Sequence, residues 1–68
     1  MAGGYDVAID IGSRFADLVA VAPDAPPILL KRPAPAGTPP EALLRAMLAE
    51  AGIAETDVAR LLGQLGLP

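Results

Sequence analysis

The sequence predicts an α+β fold: a three-stranded, mainly antiparallel meander over about 5–12, 17–22 and 28–32, packed by one helix over about 39–51. Three observations carry that expectation. Alternating apolar residues run up to a Gly-Ser-Arg turn, and a second apolar run follows almost at once. A third short apolar run stands between prolines. Beyond it the apolar spacing changes from two residues to three and four, which marks the passage from strand to helix. The 68 residues are expected to form one small domain.

The first strand places Tyr5, Val7, Ile9 and Ile11 on one face and Asp6, Ala8 and Asp10 on the other, as a strand with one buried side does. Gly12-Ser13-Arg14 is the turn. The second strand reads Leu-Val-Ala-Val-Ala after Asp17 and is apolar on both faces, which suits an interior position. A hairpin is its shortest connection to the first. Pro23-Asp24-Ala25-Pro26-Pro27 reads as a second turn, because proline fixes φ and cannot donate to a ladder. Ile28 to Arg32 is then an edge strand whose terminal Lys31 and Arg32 deter edge-to-edge pairing. Pro33 to Gly37 is expected to be an extended, proline-rich link.

The helix has the strongest local signals. Thr38 is the expected N-cap, Pro39 the first helical residue, and Glu41 completes a capping box. Leu43, Leu44, Met47, Leu48 and Ala51 form one stripe at helical spacing, expected to cover the sheet, with a partner groove as the other use. Glu41 and Arg45 make an i,i+4 ion pair in the favourable order. Gly52 suits a left-handed C-terminal cap, with Ile53 packing back on the last turn. The tail admits two readings. Residues 56–65 are either a short helix capped by Thr56 or Asp57, or a fourth strand.

Composition removes several function classes. Without cysteine there is no disulfide and no thiolate metal site, and without histidine most zinc geometries and imidazole acid–base chemistry are lost. A metal here would be a hard, oxygen-bound ion such as magnesium. A net charge of −3 with only Tyr5 and Phe15 as aromatics argues against a nucleic-acid partner. Asp6 and Asp10 interrupt the apolar run near the N-terminus, and no stretch approaches the roughly 20 apolar residues of a membrane span. The expectation is a cytoplasmic protein with no membrane partner. Hydrophobic residues make up 53% of the chain, more than so small a domain readily hides, so an apolar sheet face is expected to meet another protein.

The residues that carry chemistry sit where the first strand ends. Asp10 is either a carboxylate facing magnesium or a solvated aspartate capping the turn. Gly12 supplies a positive φ or lets backbone approach a phosphate. The Ser13 hydroxyl could join backbone N–H groups in holding that phosphate. Arg14 either pairs with a phosphate or is an exposed or interfacial arginine. Asp17 is expected to accept hydrogen bonds from the turn, and Phe15 to anchor a core or an interface.

Strand, D-I-G turn, F-x-D-L-V strand and capped helix together resemble the N-terminal segment of the hydantoinase/oxoprolinase family of actin-like ATPases. That segment typically reads D-I-G-G-T-F-T-D before an apolar strand. Here the run is Asp10-Ile11-Gly12-Ser13-Arg14-Phe15-Ala16-Asp17, in which Asp10, Ile11, Gly12, Phe15 and Asp17 agree while Ser13, Arg14 and Ala16 depart. Glu50-Ala51-Gly52-Ile53 and Asp57-Val58-Ala59-Arg60 also resemble the family's helix end and the approach to its next strand. A G-T-T type segment usually follows, where this chain has Gly63-Gln64-Leu65.

The resemblance spans nearly the whole chain and only the first fragment of a family protein, so it implies a piece of an actin-like domain. Family enzymes couple ATP hydrolysis to opening cyclic amides, and related carboxylases use ATP to activate ketones. It implies that Asp10, Gly12, Ser13 and Arg14 are the nucleotide-binding positions, with Asp10 beside magnesium. No residue is expected to be catalytic and no cofactor to bind to the chain alone; ATP and magnesium would enter only in a complex. The function expected is a small accessory or structural subunit, docked through its apolar sheet face on a larger subunit or on a second copy. The first alternative is a phosphate-binding turn contributed to an ATP site shared with a larger chain. The second is a truncated product with no role of its own.

Overall fold

Alternation in the two leading apolar runs folds them into a hairpin. The computed structural model describes residues 4–65. In it β1 (Tyr5–Ile11) and β2 (Phe15–Ala22) pair antiparallel, β3 (Ala25–Pro33) pairs antiparallel with β2, and helix α1 (Pro40–Ala51) follows. A 3-10 turn over Glu55–Asp57 then leads into β4 (Val58–Leu65), which runs parallel to β1. One mixed sheet results, ordered β3-β2-β1-β4, with β3 and β4 at its edges. The tail is therefore the fourth strand, and the expected α+β meander with one packed helix is observed.

Register decides which face is which. Val7 lies opposite Ala20, Ile9 opposite Leu18, and Ile11 opposite Ala16, and these partners share the face that α1 covers. Leu18, Met47 and Val7 are the largest fully buried side chains, joined in the core by Ile9, Ala16, Ala20, Leu43, Leu48, Ala34 and Ile53. Each large side chain so buried stabilises the fold by about 1.5–3 kcal/mol relative to exposure. The helix stripe thus covers the sheet, with Leu43, Met47 and Leu48 buried and Leu44 and Ala51 partly so. Arg32 of β3 donates through Nε to Glu50 of α1 at 2.6 Å, tying the helix to that edge.

Three local expectations are corrected. The second turn is only Pro23-Asp24, and Ala25, Pro26 and Pro27 belong to β3. Ala20 pairs with Ile28 and Ala22 with Ala25, so Pro26 and Pro27 together stand opposite Val21. Such a bulge on an edge strand is where proline's missing donor costs no ladder bond. The Pro33–Gly37 link is not wholly extended. Gly37 has φ 88° and Thr38 donates to the Pro35 carbonyl at 3.1 Å, which makes a tight turn.

The third correction concerns the helix start. The N-cap is Pro39, not Thr38; it is extended (φ −62°, ψ 138°), no side chain caps the helix, and the capping box is not formed. A residue before proline is driven out of the helical region. Pro40 therefore holds Pro39 extended and becomes the first helical residue itself. Glu41 is left to pair with Arg45 at 3.3 Å. At the other end the sequence signal is realised. Gly52 takes φ 79°, its N–H bonds the Ala49 carbonyl at 3.1 Å, and the Ile53 N–H bonds Leu48 at 2.9 Å.

Candidate functional site

The turn that closes the β1–β2 hairpin is held by backbone alone. The Gly12 N–H donates to the Phe15 carbonyl at 2.8 Å, and the Arg14 carbonyl accepts from the Ala34 N–H at 2.7 Å. Gly12, Ser13 and Arg14 are all exposed, as is Asp10 where β1 runs into the turn. Neither Ser13 nor Arg14 has a backbone acceptor for its N–H among the described residues, while that of Gly12 is already used. Among the described residues the side chains of Asp10, Ser13 and Arg14 form no hydrogen bond or ion pair.

Two readings of individual residues change. Gly12 has no positive φ; among the described residues only Gly37 and Gly52 do. A Cβ added at Gly12 would meet nothing nearer than the Phe15 carbonyl oxygen at 3.4 Å, so the hairpin itself does not demand glycine there. Asp17 does not hydrogen-bond to the turn. Its carboxylate sits 3.9 Å from Lys31 Nζ, and that ammonium lies 5.2 Å from the centre of the Phe15 ring. The residues are drawn together by register, since Asp17 is opposite Lys31 and Phe15 is opposite Pro33.

Register also brings Asp10 directly opposite Asp17. Side chains of such cross-strand partners lie roughly 5 Å apart at Cβ, and like charges there oppose pairing. No cation stands within ion-pair distance of Asp10 among the described residues, and no group of three or more acidic side chains gathers around one point. The pair leaves Asp10 as an exposed carboxylate without a cation partner among the described residues, at the strand end beside the turn.

On the same face, Arg60 of β4 donates through Nε and Nη2 to both oxygens of Asp6, at 3.3 and 3.0 Å. The hydrogen bonds from Arg60 hold the Asp6 carboxyl below its ordinary range, and the Asp6 carboxylate in turn pushes the Arg60 guanidinium up. The pair spans 54 positions of sequence, which no local pattern could have signalled. Between these charges the open face is apolar: Val19 and Val21 are exposed, Leu29 is 73% exposed, and Phe15 lies at the turn end. On the helix side a groove of about 340 Å³ runs between α1 and β4, lined by Leu44, Leu48, Val58 and Leu61 with Glu41, Arg45 and Glu55 at its rim.

Set against known proteins, the chain matches no family model, and neither a curated protein nor a solved structure is found to be similar to it.

Proposed function

We propose that the chain is a small accessory subunit, not catalytic by itself, of a hydantoinase/oxoprolinase-type or related ATP-dependent carboxylase complex. The observation that carries the reading is the open sheet face. Val19, Val21, Leu29 and Phe15 stay in water on one side of a sheet whose other side is covered by α1. Exposed apolar side chains flanked by charge are a usual mark of a protein-binding surface. The D-I-G turn between paired strands, a helical crossover and a parallel strand beside β1 support the resemblance to the start of an actin-like domain. The acidic balance supports a partner that is protein rather than nucleic acid, and among the described residues no helix is long and apolar enough to cross a membrane. The reading places the complex in the cytoplasm.

The test is co-expression with the ATPase of this class from the same cell, followed by native mass measurement. A stoichiometric complex is expected with the wild-type chain, weakened at least tenfold by Leu29→Glu. Failure of the chain to join any such ATPase removes the reading.

A second reading has its own observation: among the described residues the Ser13 and Arg14 amides, close to Asp10 in the turn, have no backbone acceptor, and Gly12 is glycine without a conformational need. On this reading the turn supplies a phosphate contact, and Asp10 orients magnesium, in an ATP site shared with the larger chain. Titration of the assembled complex with an ATP analogue and magnesium should give weaker binding for Asp10→Asn. Equal affinities would remove the idea.

A further inference from the structure

We infer that the open face selects a different chain and rejects a second copy of this one, and that the Asp10–Asp17 pair is what discriminates. The inference rests on the subunit reading above and deepens it by naming the partner's chemistry. Across the sheet the face is layered. One row carries Arg60, Asp6 and Val21, the next Ala8, Val19 and Leu29, and the third Asp10, Asp17 and Lys31. An apolar row is thus flanked by two charged ones.

Strand-aligned packing of two copies about a two-fold axis centred between Ala8 and Val19 superimposes these rows in one of two ways. With the axis along the strands, the third row lies on itself reversed, so Asp10 of one copy faces Asp17 of the other. With the axis across the strands, the third row lies on the first, so Asp10 faces Asp6. Carboxylate meets carboxylate in both. Both cations of the face already have a partner, because Arg60 is bound to Asp6 and Lys31 stands 3.9 Å from Asp17 and 5.2 Å from the centre of the Phe15 ring. An unpaired carboxylate buried against apolar surface is costly.

The occupant that fits is therefore another protein's apolar surface carrying one lysine or arginine at the Asp10–Asp17 position. Charge complementarity sets this choice, since three carboxylates and two cations leave the face one cation short.

The test needs only the purified chain. Sedimentation equilibrium is run on the wild type, on Asp10→Asn/Asp17→Asn, and on Glu41→Gln/Glu55→Gln, which removes the same charge from the helix side. The wild type is expected to be monomeric. The double asparagine variant should self-associate at least tenfold more tightly, the helix-side variant should match the wild type, and adding Leu29→Glu to the asparagine variant should return it to monomer. A charge-reversed copy, Asp10→Lys/Asp17→Lys, serves as the cationic partner and should form a mixed dimer with the wild type. If it does not give a folded circular dichroism spectrum, Asp10→Lys alone takes its place. A wild type that dimerises as tightly as the asparagine variant overturns the inference, as does a charge-reversed mixture that stays monomeric. Either failure leaves assembly with an ATPase untouched, because that reading is tested on the co-expressed complex.

Discussion

Among the described residues, Gly4 is the glycine whose replacement the structure opposes most directly. A Cβ built there would stand 2.4 Å from the Asp57 carbonyl oxygen, 2.9 Å from the Ala59 nitrogen and 3.1 Å from the Ala59 side chain. The first two are backbone atoms at the entry to β4, so no flexible side chain can swing aside. They lie where the β1–β4 register shifts, between Tyr5↔Val58 and Asp6↔Arg60. Bringing the shortest contact to an ordinary 3.4 Å requires the start of β4 to retreat by about 1 Å. Forced displacements of that kind cost about 1–3 kcal/mol. A domain of this size has only about 3–10 kcal/mol of stability. With about 4–8 °C of melting temperature per kcal/mol in small domains, Gly4→Ala should lower Tm by about 5–20 °C. Gly12→Ala is the control, because its Cβ meets one atom at 3.4 Å and its φ is not left-handed. It should cost less than about 0.5 kcal/mol. Thermal melts followed by circular dichroism, with hydrogen exchange, check both. In Gly4→Ala the amides joining β1 to β4 should lose protection before those joining β2 to β3. Equal melting temperatures for the two variants would refute the reasoning.

Two further outcomes follow from the two faces of the sheet. Leu18→Ala empties a site that is 1% exposed and should cost about 2–5 kcal/mol in urea titrations, while Leu29→Ala, at a position 73% exposed, should stay within about 0.5 kcal/mol. For the Asp6–Arg60 pair, the hydrogen bond from Arg60 lowers the Asp6 carboxyl below 3.8 in the folded chain. The unfolded chain then binds the proton more readily, so the pair's stabilisation is full above about pH 4 and is lost as pH falls through the folded value. The small difference in urea midpoint between wild type and Asp6→Asn should therefore be constant from pH 7 to about 5 and shrink below 4. It should also weaken with salt, since both side chains are well exposed.

What was legible beforehand is what neighbouring residues dictate. The two faces of β1 were readable because strand side chains alternate, and the Gly52 cap because only a residue free of a Cβ takes φ 79° readily. The helix start departs from the Thr38-x-x-Glu41 pattern because a nearer constraint, proline at position 40 acting on position 39, prevails. Pro26 and Pro27 look like turn residues locally and yet lie in a strand, because strand prolines are tolerated at an edge, and which strand is an edge is a property of the whole sheet.

The candidate site divides along the same line. The turn and its flanking residues were visible as a stretch of eight, but not the facing of Asp10 and Asp17, the link of Asp17 to Lys31, or the clasp of Asp6 by Arg60. Sequence alone determined the periodicities, the helix stripe and the chemistry left out by the absence of cysteine and histidine. Only the tertiary structure decided that β4 lies parallel beside β1, which side of the sheet stays in water and which charges share it. Local preference acts over a few bonds along the chain, whereas strand order and register are chosen by burial and hydrogen bonding between segments up to 54 residues apart.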